Sequence, residues 1–97
     1  MPQTACDVGV RFGSFATGID GKAAVAVEQL IATDTAVAEV TRSPRGIEGE
    51  YSVCVRTRSP AEAAGLFERL KQTVGPQVRA PVTIVGPQGS HSVSTTS

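Results

Sequence analysis

The loop from Gly13 to Lys22 contains residue types that bind phosphate in nucleotide-binding proteins. Gly13 and Gly18 are separated by four residues, as in a P-loop, but Ile19 stands where that motif has its lysine. Ala23 follows Lys22, so the hydroxyl that would bind Mg²⁺ is also missing. We therefore interpret the segment as a connection into a helix, whose exposed N-terminus would hold an anion only weakly. The residues of that weak anion site would be Ser14, Thr17 and Lys22.

Cysteine and histidine do not occur at spacings that make a metal site or a catalytic centre. Cys6 and Cys54 are far apart and lack the paired spacing of a zinc or redox motif. His91 is the only histidine, and it lies in a Gly/Ser/Thr-rich segment that would not hold the geometry of a catalytic triad. The sequence therefore predicts two free thiols, no catalytic residue, no bound metal and no cofactor.

Several segments alternate hydrophobic and polar residues, which is the period of a half-buried strand. The predicted strands are residues 8–12, 36–42, 50–58 and 80–86. The two middle strands are joined by a short segment with a proline and two glycines, which predicts an antiparallel hairpin. Pro81, near the start of the last strand, indicates a strand at the edge of a sheet.

Two segments have the hydrophobic spacing that is typical of a helix. The first is residues 22–33, with Asp20 as its N-cap. The second begins after Ser59, which forms a capping box with Glu62, and it ends at Gly75.

The order strand, helix, two strands, helix, strand resembles the ferredoxin-like βαββαβ plait, which is a fold and not a family. The predicted class is therefore α+β, a four-stranded antiparallel sheet with two helices on one face. A single domain would span residues 1–86, and residues 87–97 would be a disordered tail because they have little to bury. The predicted core residues are Val10, Phe12, Leu30, Val53, Val55, Phe67, Leu70 and Ile84.

The sheet face without helices is predicted to carry arginine side chains. Arg11 and Arg56 alternate with core-facing residues of the two central strands, so we expect them to lie close together. Cys54 and Arg58 complete this candidate binding surface. Two interpretations remain open, namely a charged face that only contacts solvent, and a surface that binds an anion, an acidic partner or a second copy of the chain.

The composition disfavours nucleic acid and membrane as partners. Nine basic residues balance nine acidic ones, so no long-range field attracts DNA or anionic lipid. The predicted open face also lacks the aromatic rings on which RNA-recognition plaits stack bases. No segment has the length and hydrophobicity of a membrane span or a secretory signal, so the predicted location is the cytoplasm.

The sequence thus predicts a non-catalytic binding or assembly module that acts through its open sheet face or an edge strand. The expected partner is a second copy, which gives a homodimer, or another protein, and a small anionic ligand is a further option. The candidate edge is residues 36–42, which contain neither a proline nor a lysine that would block strand addition. The alternative is a small enzyme or ligand-binding protein of the dimeric plait type, in which two sheets enclose an apolar pocket.

Overall fold

The spacing of hydrophobic residues sets where the helices and strands form. The computed structural model describes residues 6–14, 18–44, 49–75, 78 and 80–93. Their elements, in chain order, are β1 Val8–Phe12, α1 Gly21–Thr33, β2 Val37–Pro44, β3 Tyr51–Thr57, α2 Pro60–Val74, β4 Val82–Gly86 and β5 Gly89–Val93. The first six elements begin and end within two residues of the predicted positions.

The strands form one antiparallel sheet in the order β2-β3-β1-β4-β5. The prediction of a four-stranded ferredoxin-like plait is wrong, because the sheet has five strands. Its edges are β2 and β5, so β4 is an interior strand and not the predicted edge. The central strand is β1, which pairs with β3 on one side and β4 on the other.

The fifth strand comes from the segment predicted to be a disordered tail, and that prediction is wrong for residues 89–93. The turn before β5 has proline in its second position and glycine in its fourth, which is a common composition for a tight turn. Gly86 pairs with Gly89, whose φ of 127° suits glycine alone. Val93 is buried and gives the strand a hydrophobic anchor. Residues 94–97 lie outside the described part of the chain.

The core lies between the sheet and the two helices, which pack on the same face of it. Every residue predicted for the core is buried except Leu30, which is half-buried and packs against the core margin. The backbone of β4 lies so close to α2 that a Cβ atom at Gly86 would be 2.6 Å from the ring of Phe67. The largest fully buried side chains are Phe12, Leu66, Leu70 and Ile84.

Helix ends follow the predicted positions, with one difference in hydrogen bonding. Asp20 is buried and caps α1, since its carboxylate accepts a hydrogen bond from the amide of Ala23 at 3.0 Å. The predicted capping box of α2 does not form, because the Ser59 hydroxyl oxygen accepts no hydrogen bond from the amides of the first turn. The hydroxyl instead donates to the Glu62 carboxylate at 3.3 Å. Gly75 ends α2 with a φ of 75°. Neither helix of the described segments is long and apolar enough to cross a membrane.

Candidate binding site on the open sheet face

The sheet face that carries no helix, here called the open face, has two rows of residues that cross all five strands. Directly paired residues of an antiparallel ladder point to the same face, so the register defines each row. The Arg11 row contains Ser43, Ser52, Arg11, Thr83 and Ser92. The Gly9 row contains Thr41, Cys54, Gly9, Val85 and Ser90. Serine and threonine make up most of the two rows, so this face is polar and rich in hydroxyl groups.

Arg11 lies at the centre of its row and is exposed. Its direct neighbours are Ser52 on β3 and Thr83 on β4. Thr83 Oγ1 lies 3.3 Å from Ser92 Oγ, so that hydroxyl already has a hydrogen-bond partner. Within the described segments, the Arg11 guanidinium makes no hydrogen bond or ion pair. This cation is therefore available to an external anion.

Cys6 and Cys54 form a disulfide bond with their Cα atoms 5.2 Å apart, so the prediction of two free thiols is wrong. Asp7 holds this part of the chain against β3. Its amide donates to the carbonyl of Val55 at 3.0 Å, and its carboxylate accepts from the amide of Thr57 at 2.8 Å. Only the pairing of β1 with β3 reveals that the two cysteines are neighbours, because they are distant in sequence. The bond lies on the open face.

A depression of about 300 Å³ lies over Gly9. Because Gly9 has no side chain, its row has a gap between Cys54 and Val85. The disulfide borders one side of the gap, Val85 borders the other, and Arg11 and Ser52 border one end. A Cβ atom at Gly9 would find its nearest heavy atom, a backbone oxygen, at 3.7 Å. The site is thus an apolar-walled depression with one cation and one hydroxyl at its margin.

The other two arginines predicted for this surface have partners elsewhere. Arg56 forms an exposed ion pair with Glu39 at 3.9 Å. Arg58 donates from Nε to the carbonyl of Thr35 at 2.7 Å and holds the connection between α1 and β2. The prediction that Arg11 and Arg56 lie close together is wrong, since they are two rows apart, roughly 13 Å along the strands. Only Arg11 of the three lies at the depression.

The weak anion site predicted at the N-terminus of α1 is described only in part, because Thr17 lies outside the described residues. Ser14 donates its amide to a carboxylate oxygen of Glu50 at 2.9 Å, and its hydroxyl donates to the same oxygen. Lys22 is exposed in the first turn of α1. The carboxylate of Asp20 already accepts a hydrogen bond from the backbone of that turn. The helix N-terminus therefore has an anionic group of the chain itself as its cap.

His91 lies on β5 and not in a disordered tail. It pairs with Ile84, which is buried, so His91 points towards the helix side of the sheet and away from the depression. There it lines a groove with Glu68 and Lys71 of α2. In the described part of the chain, no group of three or more His, Cys, Asp or Glu side chains is placed to hold a metal ion.

Glu28, Arg42 and Tyr51 link α1 to the sheet on the helix side, and no sequence pattern indicates this contact. Arg42 Nε donates to both carboxylate oxygens of Glu28, at 3.0 and 2.9 Å, and the Tyr51 hydroxyl donates to Glu28 at 2.9 Å. The hydrogen bond from Arg42 lowers the pKa of Glu28. Burial, followed by the hydrogen bond to Glu28, raises the pKa of Tyr51 to about 12. These three side chains hydrogen-bond to one another and hold α1 against β2 and β3.

Gly9, Ser52 and Val85 belong to the depression but were not predicted as site residues. Strand alternation can place each of them on the open face, but only the register of three strands brings them together. No family model matches the chain, and comparisons with curated proteins and with solved structures find no match. The function is therefore inferred from the geometry of the open face.

Proposed function

We propose that the protein is a non-catalytic binding module that holds a carboxylate group in the depression over Gly9. The observation that carries the proposal is Arg11, whose guanidinium has no partner in the described segments and lies beside an apolar-walled depression. A guanidinium binds a carboxylate through two parallel N–H···O bonds. The Ser52 hydroxyl, at the same end, would supply a further donor.

A singly charged ligand with a short hydrocarbon part suits the site better than a phosphate. Arg11 is the one cation among the described residues that line the depression, so it balances one negative charge. Val85 and the disulfide give the depression apolar walls. Its volume of about 300 Å³ is at the lower end of the range for small-molecule sites. The carboxylate would belong to a small branched acid or to a side chain of a partner protein.

The test is a titration of isotope-labelled protein with isovalerate, followed by amide chemical shifts in NMR spectra. We expect saturable shifts at Gly9, Arg11 and Val85. The dissociation constant should be about 1 mM, because the site is shallow and offers a single ion pair. Isovaleramide has the same shape without the charge, so it should give no shift at the same concentration. Equal binding of the acid and the amide would contradict the proposal.

Two variants and a matched control locate the site. Arg11→Gln should raise the dissociation constant at least about tenfold, whereas Arg56→Gln removes the same charge two rows away and should leave it unchanged. Gly9→Val should abolish binding because it fills the depression. It should not lower the melting temperature, since the position has room for a side chain and glycine is a weak strand residue. Unchanged binding by Gly9→Val would place the ligand elsewhere.

A peptide titration distinguishes the two sources of the carboxylate. A short acidic peptide with blocked ends offers only side-chain carboxylates, so shifts at the same three amides would indicate a protein partner. Shifts with isovalerate alone would indicate a small-molecule ligand. The alternative of a small enzyme with an apolar pocket between two sheets is less well supported, because six of the ten residues in the two rows of the open face carry hydroxyl groups.

We also propose that the protein works in an oxidising compartment and not in the cytoplasm that the sequence predicts. The disulfide supports this, because such bonds form and persist where thiols are not kept reduced. The test is maleimide labelling of intact cells, with and without prior reduction. Labelling of Cys6 and Cys54 only after reduction is expected, and labelling without reduction would favour the cytoplasm.

A further inference from the structure

The strand β2 has a hydrogen-bonded neighbour on one side only, because it is an edge of the sheet. It is the longest strand, with eight residues, and most of them are exposed. Backbone N–H and C=O groups on the open side of an edge strand pair readily with another strand. The strand has no lysine, and its proline is the last residue, so no side chain within it blocks such an addition.

We propose that β2 pairs antiparallel with β2 of a second copy of the chain, around a two-fold axis at Thr41. Main-chain hydrogen bonds would join the two five-stranded sheets into one, with both open faces on the same side. This interface is separate from the carboxylate site and does not depend on it.

Charge disfavours two of the nearby registers, those with the axis at Glu39 and at Arg42. A two-fold axis at a residue places that residue opposite its own copy, so an axis at Glu39 or Arg42 would bring like charges together. With the axis at Thr41, Thr41 is opposite Thr41 and Glu39 is opposite Ser43 of the second copy. No like charges face each other in this register.

The shape of β2 favours Thr41 over Val40 as the centre. The register of β2 against β3 is irregular between Val37 and Glu39 and regular from there to Pro44. An axis at Val40 would pair the irregular part, residues 37–38, with residues 42–43 of the regular part. An axis at Thr41 uses the regular part alone.

Packing on the helix side agrees with the same register. Val40 is half-buried at the core margin. With the axis at Thr41, Arg42 of the second copy would lie opposite Val40, where its hydrocarbon stem would cover the valine. The guanidinium would remain with Glu28.

The other edge, β5, is a weaker candidate for this contact. It has five residues, of which one is glycine and two are serine, and these residue types are depleted in strands or contribute little packing. It does, however, provide a matched control, because Ser90 occupies the same row of the open face as Thr41. Both residues are exposed hydroxyl residues on an edge strand.

The test is the mass of the full chain in solution, measured by light scattering at about 100 µM, where a micromolar dimer would be nearly fully formed. We expect twice the chain mass of 10.0 kDa. Thr41→Lys should raise the dimer dissociation constant, determined from the mass over a dilution series, by about fivefold or more, because it places two lysines opposite each other. Ser90→Lys should leave the dimer intact, and circular dichroism should confirm that both variants are folded.

A charge-reversal pair tests the axis itself. Thr41→Glu should weaken the dimer as Thr41→Lys does, and a mixture of the two variants should restore the dimer mass as a heterodimer. A monomer mass for the unmodified chain would overturn the proposal. It would also be overturned if Thr41→Lys left the dimer dissociation constant unchanged, or if Ser90→Lys and not Thr41→Lys raised it.

Discussion

Replacing Cys6 by serine should lower the free energy of unfolding by about 4 kcal/mol. The disulfide joins residues with a sequence separation of 48, so the closed loop contains β1, α1 and β2. Closing a loop of this length lowers the chain entropy of the unfolded state, which corresponds to about 4 kcal/mol of stability at room temperature. The serine itself should cost little, because Cys6 is exposed.

Urea unfolding followed by circular dichroism measures this loss. Cys54→Ser and the double variant should lose the same amount as Cys6→Ser, because all three break the same bond. In the presence of a reducing agent, the unmodified protein should have the same free energy of unfolding as these variants. Its melting temperature should then fall by roughly 15–30 °C. The native protein should also show no thiol that reacts with Ellman's reagent.

Two results would refute this reasoning: a small loss of unfolding free energy in the single variants, or single losses that add up in the double variant. If each single variant lost less than about 1 kcal/mol, the bond would not constrain the unfolded chain as its loop length requires. If the double variant lost the sum of the two single losses, each cysteine would contribute through its own packing and not through a shared bond.

The remaining predictions concern the core and the contact between α1 and the sheet. Phe67→Ala should lower the free energy of unfolding by about 3–5 kcal/mol in a urea titration, because Phe67 is only 4% exposed. A loss below about 1 kcal/mol would place it outside the core. Gly86→Ala should cost about 1–3 kcal/mol, because its Cβ would lie 2.6 Å from the ring of Phe67, and Phe67→Leu in the same background should recover part of the loss. Tyr51 is the only tyrosine and the chain has no tryptophan, so its ultraviolet absorbance should show a titration midpoint near pH 12. Glu28→Gln should lower that midpoint. An elevated pKa in the folded state means that the stabilising contribution of Tyr51 is complete below pH 10 and is lost as the pH rises through about 12. Glu28 behaves in the opposite sense: because its pKa is lowered in the folded state, its carboxylate stabilises the fold at pH values above its ordinary pKa of 4.5. This contribution should be lost on acidification of the unmodified protein, whereas Glu28→Gln should show no such loss.

The sequence predicted the elements well where local chemistry decides them. The proline and glycine that bound α2 and the alternation of Val8, Val10 and Phe12 are local signals, and the structure has both elements at those positions. The strand β5 was not predicted because it has a single buried hydrophobic residue, Val93, and therefore shows no alternation of hydrophobic and polar residues. The pattern of a proline and a glycine in that turn was present in the sequence and could have indicated a hairpin.

The candidate site was harder to predict than the fold because it depends on contacts between distant residues. Arg11 was identified from alternation alone, which needs only one strand. The depression needs Gly9 between Cys54 and Val85, and these three residues belong to three strands. The disulfide could not be predicted for the same reason, because its two cysteines become neighbours only through strand pairing and their spacing matches no sequence motif.

The disulfide depends on the register of β1 against β3, and the depression depends on this register together with that of β1 against β4. A slip of one residue between β1 and β3 would turn Arg11 towards the helices and a core valine towards solvent. Because Cys6 precedes β1 and Cys54 lies within β3, their bond fixes the two strands against each other at the start of β1. The same bond then forms a wall of the depression. Breaking it therefore removes one wall of the site as well as a constraint on the unfolded chain. For this reason the carboxylate affinity of Cys6→Ser should be measured under conditions where that variant is still fully folded.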